Sequence, residues 1–208
     1  MSLVFATTNP HKLQEVREIL AGAGLDVRGL SELSVAVPEP VEDAPTLEGN
    51  ARLKAVAYAR ALGRACLADD SGLEVDALAG APGVHSARYA GRGATREERD
   101  QANREKLVAE LRKLGDVSRA ARLVCTLCLA DAAGNVLFEA RGAVEAVIRD
   151  TPRGSHGFGY DALLFLPELG RSVAELSAAE WNARSHRGTA VRALCAWLRT
   201  HPSSGDVS

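Results

Sequence analysis

Apolar runs alternate with amphipathic stretches along this chain, and each pattern predicts a different kind of element. Short apolar runs bounded by polar or glycine positions predict buried strands at residues 3–6, 25–30, 66–68 and 162–166. Two longer runs are predicted to form a hairpin, at residues 119–131 and 136–148.

Helices are predicted where apolar residues recur every three or four positions after a capping residue. The predicted caps are Asn9, Thr46, Thr95 and Ser177, and the last two are followed three residues later by a glutamate, which makes a capping box. A last helix is predicted at residues 188–199. Crossover units combined with a long hairpin predict an α/β fold with a long mixed β-sheet flanked by helices.

The composition is that of a globular protein without a strong overall charge. Of its 208 residues 46% are apolar, and we expect one domain at residues 1–201 followed by a disordered tail at residues 202–208. A formal charge of −2 gives the protein no overall positive potential that would attract nucleic acid. The start of the chain lacks a signal-peptide pattern, and no apolar run is long enough to span a membrane. We expect a cytoplasmic protein with neither nucleic acid nor membrane as a partner.

The four cysteines are too few for a disulfide scaffold in a chain of this length: Cys66, Cys125, Cys128 and Cys195. The spacing of Cys125 and Cys128 resembles a zinc or redox motif, but residues three apart on a strand point to opposite faces. We therefore predict reduced thiols. A serine or cysteine nucleophile is not expected either, because the chain has no G-x-S-x-G sequence.

The adjacent carboxylates of Asp69 and Asp70 are the most informative charged feature, because they directly follow the predicted strand at residues 66–68. Charges at a strand end are costly unless they are used, and carboxylates together with substrate phosphate and water are how Mg²⁺ is held. Asp70 is also a candidate general base for an attacking water. The alternative is that one of the two aspartates only caps a turn.

A proline-rich acidic loop precedes the helix that Thr46 caps, and it offers a second metal ligand. Glu39, Glu42 and Asp43 compete for this role, and we favour Glu42. The expected metal is Mg²⁺ because all of these ligands are hard oxygen donors.

The turn after the first predicted strand carries Thr7, Thr8, Asn9 and Lys12. Backbone N–H groups at a helix start, two hydroxyls and an ammonium together suit a phosphate. The turn lacks the glycines of a P-loop, and an ordinary capped helix with a surface lysine is the alternative.

Four further basic residues are scattered along the chain: Lys54, Arg88, His186 and Arg187. Each is a solvated surface charge unless the fold brings them to one cleft, where they would form a phosphate clamp.

A glycine-rich loop carries Phe158, Gly159, Tyr160 and Asp161. Its match to G-x-G-x-x-A is accidental, because a loop precedes it and a predicted strand follows, which is the wrong context for a dinucleotide site. Two rings and an aspartate on a pliable backbone suit the packing of a purine and a hydrogen bond to its edge. A turn with core aromatics is the alternative.

Taken in order, these segments resemble the inosine triphosphate pyrophosphatase family, whose members remove noncanonical purine nucleoside triphosphates. The matching stretches are residues 6–12, 50–55, 67–78, 80–91, 157–161 and 185–188. Each stretch is weak alone, but their shared order and spacing form a specific signal.

The resemblance implies a sheet that floors a central substrate cleft between two lobes, in a homodimer that uses Mg²⁺. It implies hydrolysis of ITP, dITP or XTP between the α and β phosphates, which cleanses the nucleotide pool. Asp70 would be the magnesium-linked base, Ser71 would touch the substrate, and residues 158–161 would form the base pocket. The implied triphosphate ligands are Thr8, Asn9 and Lys12. Lys54, which would be catalytic, and Arg88, His186 and Arg187 would bind or polarise the phosphates, and His186 and Arg187 could also reach the base.

One position departs from the family pattern. Before the Ser-His-Arg-Gly stretch the family often has a lysine–asparagine pair, whereas this chain has Trp181 and Asn182. Trp181 could stack on the base, Arg184 could supply the charge, or the site could have relaxed specificity. Packing of Trp181 on a helix is an equal alternative.

Two other functions stay open at this point. A Maf-like pyrophosphatase of dTTP or UTP shares a related architecture, and a nucleotide-binding regulator without turnover would fit the missing lysine. The presence of Asp70, Lys12 and Lys54 argues against the regulator.

Overall fold

The structure is a computed structural model that describes residues 2–35 and 37–201. The predicted tail at residues 202–208 lies outside the described residues. The strands of the described chain are β1 (Ser2–Phe5), β2 (Asp26–Gly29), β3 (Cys66–Val75), β4 (Ala120–Ala130), β5 (Val136–Ile148), β6 (Leu164–Leu166) and β7 (Arg171–Ser172). They form a seven-stranded sheet in the order β2-β1-β3-β4-β5-β6-β7.

The predicted helix caps are confirmed. The α-helices of the described chain are α1 (Pro10–Ala21), α2 (Leu47–Leu62), α3 (Arg96–Lys113), α4 (Ala178–Arg184) and α5 (His186–Thr200). Asn9 Oδ1 accepts the first N–H groups of α1, and the hydroxyls of Thr46 and Thr95 accept N–H groups of α2 and α3. Each cap satisfies donors that a helix start leaves without a partner inside the helix.

The sheet is mixed, which confirms the predicted fold class. β1 pairs in parallel with β2 and β3, whereas β6 pairs antiparallel with β5 and β7. Phe5 is in register with Leu67, and the N–H of Ala6 donates to the carbonyl of Leu67 at 2.7 Å. The turn that follows β1 therefore begins level with Asp69 of β3.

The described chain divides into two compact units, of which unit 1 contains two hydrophobic cores and unit 2 contains one. Unit 1 holds the described residues through Asp70, Cys125–Gly142 and the described residues from Ser185 onward. Unit 2 holds Ser71–Val124 and Ala143–Arg184. The single domain expected at residues 1–201 stays a prediction.

Helices cover both faces of the unit 1 sheet. α1 and α5 pack on one face, where Leu67 and Cys125 contribute to the core. α2 packs on the other face, which takes Cys66 and Cys128 instead. Cys125 and Cys128 thus point to opposite faces as predicted, and all four cysteines are free and buried. The core of unit 2 joins α3 and α4 to the unit 2 residues of the sheet.

The structure corrects the predicted end of β3. The apolar run predicted a strand that ends at Ala68 and a loop from Ser71, whereas β3 continues to Val75. Asp69 and Asp70 therefore lie inside the strand. The strand continues because Leu73 and Val75 are fully buried in the core of unit 2. The two charges inside it are offset by Lys12, Arg187 and Lys54.

Other boundaries shift by a few residues. β6 begins at Leu164 and not at residue 162, because the N–H groups of Leu163 and Leu164 donate to carbonyls in a preceding turn. α5 begins two residues earlier than predicted, because Ser185 caps it through a hydrogen bond from the N–H of Gly188. β7 was not predicted, since two residues are too short for a periodic signal. Across the described residues we find no helix both long and apolar enough to cross a membrane.

Candidate active site

Asp69 is a buried carboxylate that lies between two cations of unit 1. It is only 2% exposed, and its Oδ2 atom lies 3.1 Å from Lys12 Nζ and 3.2 Å from Arg187 Nε. Burial alone would raise the pKa of Asp69, but the attraction of Lys12 and Arg187 outweighs it and lowers the pKa below its usual range. Asp69 therefore stays charged and holds both cations in place.

Arg187 lies at the start of α5 and is 1% exposed. Its guanidinium contacts Glu15 of α1 as well as Asp69. Burial alone would lower the pKa of Arg187, but Asp69 and Glu15 together raise it. Arg187 is thus a permanent buried cation between two carboxylates.

His186, the neighbour of Arg187, is also buried. Burial and then the charge of Arg187 lower the pKa of His186 well below its ordinary value. The imidazole is therefore neutral at pH 7, so it can accept or donate a hydrogen bond but adds no positive charge.

Asp70 has a different environment from Asp69, although the two are adjacent. Its Oδ1 atom lies 3.3 Å from Lys54 Nζ, and its Oδ2 atom accepts a hydrogen bond from Asn50 Nδ2 at 3.4 Å. The Thr126 hydroxyl donates to the backbone carbonyl of Asp70 at 3.2 Å. Burial raises the pKa of Asp70, although Lys54 and Lys12 oppose this. A carboxylate with a raised pKa is a better proton acceptor.

Lys54 connects Asp70 to the acidic loop. Its Nζ atom lies 3.0 Å from Glu42 Oε2 as well as 3.3 Å from Asp70 Oδ1. Burial alone would lower the pKa of Lys54, but Asp70, Asp69 and Glu42 together raise it. Of the three acids that competed for a role in the loop, Glu42 is the one that contacts Lys54.

These charged side chains of unit 1 form what we call the acid–cation cluster: Lys12, Glu15, Glu42, Lys54, Asp69, Asp70 and Arg187. Within the described chain, its three cations and four carboxylates leave a formal charge of −1. The cluster by itself therefore does not attract a polyanion, whereas a divalent cation would reverse its sign.

The turn after β1 lies beside this cluster. Thr7 Oγ1 accepts from the N–H of Asn9 at 3.2 Å, and Asn9 Oδ1 accepts from the N–H groups of His11 and Lys12 at 3.0 and 3.4 Å. Thr8 is exposed. The turn is thus ordered by its own side chains, and Lys12 extends from it to Asp69.

In unit 2, the loop at residues 157–161 is tied down by hydrogen bonds. Asp161 Oδ2 accepts from the N–H of Phe158 at 2.9 Å, and the Tyr160 hydroxyl donates to the carbonyl of Ser86 at 2.9 Å. Tyr160 and Asp161 are buried, whereas Phe158 and Gly159 are partly exposed. A base bound at this loop would therefore contact Phe158 and Gly159 more readily than the other two residues.

The remaining candidates of unit 2 belong to three different elements. Ser71 is half-buried in β3, and Arg88 is exposed at the end of the 3-10 helix Gly83–Arg88. Trp181 on α4 is 8% exposed and belongs to the unit 2 core. That burial favours the packing alternative for Trp181.

Several residues that hold the acid–cation cluster or the loop at residues 157–161 in place were not predicted from the sequence. In unit 1, Glu15 is a member of the acid–cation cluster, and Asn50 and Thr126 contact it. In unit 2, the loop at residues 157–161 is contacted by Arg96, Asp100 and Arg104. Asn50 and Lys54 are four residues apart on α2 and so share a face, which is the one signal that could have identified Asn50. The other contacts join residues far apart in the sequence.

The donor set fits a magnesium ion only together with a substrate. In the part of the chain that the structure describes, no three His, Cys, Asp or Glu side chains are grouped as a metal site. Asp70 and Glu42 do contact the same ammonium, so two hard oxygen ligands lie near each other. Mg²⁺ is often held by one or two carboxylates while phosphates and water complete its shell.

The chain belongs to the Ham1 family, whose model matches residues 3–197. This confirms the resemblance seen in the sequence. A dITP/XTP pyrophosphatase of Exiguobacterium sp. is 47% identical over 194 residues, which cover 93% of this chain and 95% of the relative. A dITP/XTP pyrophosphatase of Thermus thermophilus is 44% identical, with 100% and 97% of the two chains covered.

Solved structures share the fold. A HAM1 protein from Coxiella burnetii has a TM-score of 0.85 and 37% identity, with 96% of this chain and 99% of that chain covered. The Ham1 protein of Staphylococcus aureus has a TM-score of 0.81 and 38% identity, with 97% and 100% covered.

Proposed function

We propose that this protein is a nucleoside triphosphate pyrophosphatase for noncanonical purine nucleotides: ITP, dITP and XTP. It hydrolyses the bond between the α and β phosphates and releases a monophosphate and pyrophosphate. The observation that carries this proposal is the acid–cation cluster around two adjacent aspartates, in a chain of the Ham1 family. The names of the relatives support the choice of bases.

Asp70 acts as the general base. Its raised pKa suits it to take a proton from a water molecule as that water attacks phosphorus and pyrophosphate leaves. Lys54 contacts Asp70 and keeps the carboxylate ionised between turnovers. Asp69 contacts both Lys12 and Arg187, and Arg187 contacts Asp69 and Glu15, so we assign Asp69 and Arg187 as positioning residues.

Charge neutralisation is the second requirement of the reaction. A nucleoside triphosphate carries up to about four negative charges, and negative charge accumulates on the departing pyrophosphate as the bond to phosphorus breaks. Lys12 and Lys54 supply ammonium groups, and Thr7, Thr8 and Asn9 supply hydroxyls, an amide and the start of α1. Arg88, Ser71 and His186 complete the proposed substrate contacts.

Asp70 and Glu42 would hold Mg²⁺, the proposed cofactor. When bound, the ion supplies positive charge for the triphosphate and lowers the pKa of a coordinated water. Glu42→Gln should therefore raise the Mg²⁺ concentration needed for half-maximal activity by at least about tenfold, because even the loss of a residue that only supports a metal ligand weakens metal affinity by about 10–100-fold. Asp43→Asn is the matched control in the same loop, and an equal shift in both variants would contradict the assignment.

The loop at residues 157–161 is the proposed base pocket. Discrimination of a 6-oxo purine from adenine requires hydrogen-bond donors at the 6 position, because the adenine amino group would leave them unpaired. Trp181→Ala tests whether this ring takes part: a stacking role predicts a larger loss for ITP than for ATP, and a packing role predicts equal losses.

We also propose that the protein is a homodimer and acts in the cytoplasm. The family resemblance supports the dimer, and four free, buried thiols are compatible with a reducing compartment. Sedimentation at several protein concentrations would test the dimer.

The reaction is tested by ³¹P NMR of the products and by a nucleotide panel. We expect pyrophosphate as the first product and higher kcat/KM for ITP and XTP than for ATP, dTTP and UTP. Orthophosphate as the first product would overturn the proposal. A preference for dTTP or UTP would favour the Maf-like alternative, and binding without turnover would favour a regulator.

Asp70→Asn tests the catalytic assignment. A general base contributes about 10²–10⁴-fold, so kcat should fall by that factor while ITP still binds in a calorimeter. Asp26→Asn, at an exposed position of β2, is the matched control and should keep full activity. Normal turnover by Asp70→Asn would show that another group is the base.

A further inference from the structure

One face of α3 contacts two consecutive residues of the loop at residues 157–161. Arg96, Asp100 and Arg104 recur every four residues, so their side chains project from the same face of the helix. We call these three residues the α3 row. All of its contacts described below lie within unit 2.

The α3 row holds both the ring and the backbone of the loop. The Arg96 guanidinium lies 4.7 Å from the centroid of the Phe158 ring. Asp100 Oδ2 accepts from the N–H of Gly159 at 2.9 Å, and Arg104 Nη1 donates to the carbonyl of Gly159 at 2.6 Å. Both backbone polar groups of Gly159 are therefore bound by charged side chains, and hydrogen bonds to charged groups are the stronger kind.

The loop needs such support because of its glycines. Gly157 and Gly159 have φ angles of 76° and 60°, in the left-handed region that glycine adopts easily. The same freedom gives the loop many competing conformations, and ordering each residue costs about 1–2 kcal/mol of conformational entropy. A helix that binds the N–H and the carbonyl of Gly159 selects one conformation before any ligand arrives.

The helix that carries the α3 row is held in place by a buried side chain. Asn103 of α3 is 2% exposed, and its amide donates to the carbonyls of Ser86 and Ala87 at 3.2 Å each. The carbonyl of Ser86 also accepts from the Tyr160 hydroxyl at 2.9 Å. The helix and the loop are thus joined at two places, directly through Gly159 and through Ser86.

We propose that Asp100 and Arg104 are positioning residues that fix Gly159 and Phe158 for recognition of the purine base. This inference rests on the proposed function, in which the loop at residues 157–161 contacts the base. Neither side chain has to touch the nucleotide. Their effect is on selectivity, since a loop free to move cannot keep its hydrogen-bonding groups aimed at one base edge.

The test compares kcat and KM for ITP and ATP in paired variants. Asp100→Ala and Arg104→Met each remove one hydrogen bond to Gly159, and Arg104→Met keeps the apolar stem. We expect KM for ITP to rise about tenfold and the ratio of kcat/KM for ITP to that for ATP to fall about tenfold, as for one charged hydrogen bond. The kcat for ITP should change less than about threefold, because the acid–cation cluster is untouched.

Conservative variants and a control separate positioning from a general loss of structure. Asp100→Asn keeps an acceptor and Arg104→Lys keeps a donor, so both should recover most of the ITP preference. Gln101→Ala lies next to the row, is exposed, and should behave as wild type. Because Asn and Lys preserve the hydrogen bonds, these two variants remain informative if Asp100→Ala does not fold.

Equal losses for ITP and ATP, or no recovery in the conservative variants, would overturn this inference. Failure of the proposed function looks different, because the wild type itself would then lack an ITP preference or would not release pyrophosphate.

Discussion

At the scale of single residues, Asp69 and Asp70 differ because their surroundings differ. Asp69 is enclosed by Lys12 and Arg187, and its pKa is lowered. Asp70 has a side chain that is 12% exposed, and burial raises its pKa. Two carboxylates whose environments shift their pKa values in opposite directions are suited to different tasks. We infer that Asp69 maintains the site and that Asp70 reacts.

Asp69→Asn should lower the free energy of unfolding strongly. The change leaves Arg187 buried with one fewer carboxylate, and breaking a buried ion pair costs about 3–5 kcal/mol. Urea unfolding at pH 7 measures this loss. Glu105→Gln is the control, because the Arg92–Glu105 pair is exposed and such pairs contribute about 0–1 kcal/mol. Similar effects of the two substitutions would contradict the structural role of Asp69.

His186 should make the protein less stable as the pH falls. Its pKa is lowered in the folded state, so it stays neutral there, whereas in the unfolded chain it takes a proton near its ordinary pKa of about 6.5. Below that pH the unfolded state binds the extra proton, and the free energy of unfolding falls by up to about 1.4 kcal/mol per pH unit.

The measurement is the difference in unfolding free energy between about pH 7.5 and about pH 5.5, a window around the unfolded-state pKa. His186→Gln should flatten this dependence, and His11→Gln, at an exposed position, should not. Parallel curves for His186→Gln and the wild type would show that His186 does not carry the effect.

At the scale of elements, two helices end at glycines with opposite requirements. α1 ends at Gly22 with φ of −62°, whereas α2 ends at Gly63 with φ of +62°. A Cβ at Gly63 would meet no atom within 4 Å, so backbone conformation is the only obstacle to a side chain there. Glycine is therefore required at the end of α2 but not at the end of α1.

Gly63→Ala should destabilise the protein by about 1 kcal/mol, the cost of a left-handed residue with a side chain. Gly22→Ala is the matched variant and should be neutral or stabilising by up to about 1 kcal/mol, because alanine restricts the unfolded chain. Thermal unfolding of the two variants measures the difference. A loss at Gly22 as large as that at Gly63 would refute this reading of the two helix ends.

The elements also show where sequence patterns are sufficient. Caps and periodic stripes predicted the starts of α1, α2 and α3, because these signals are local. The end of β3 was mispredicted because two charges in a strand normally stop it. Lys12 and Arg187, which offset the charge of Asp69, lie 57 and 118 residues away in the sequence. No local pattern contains that information.

Across the molecule, the candidate site also combines features that the sequence shows with contacts that only the fold shows. The ordered motifs were enough to identify the family, because the order and spacing of motifs can be read directly from the sequence. The motifs did not reveal which side chain each charged residue contacts. For Arg187 the sequence suggested a phosphate ligand, and the fold buries its guanidinium between Asp69 and Glu15. The α3 row was also beyond prediction, because it contacts backbone atoms 55 and 59 residues away.

The four cysteines provide a test of the folding of unit 1, because all four are buried in its two cores. Burial raises the pKa of Cys66 and of Cys128 to about 12, and it also raises the pKa of Cys195. Only the thiolate reacts with thiol reagents. We therefore expect the native thiols to react together, at the slow rate at which unit 1 unfolds, and to react at once in concentrated urea.

Ser118→Cys supplies the control for this labelling experiment, since residue 118 is exposed and its thiol should react immediately in native buffer. Mass spectrometry of the labelled chain at successive times separates the cooperative from the local case. If unit 1 opens as a whole, wild-type species with no label and with four labels should dominate, because each opening exposes both cores. A singly labelled species that accumulates early would mean that one strand or helix opens alone, and the labelled cysteine would identify which core it belongs to.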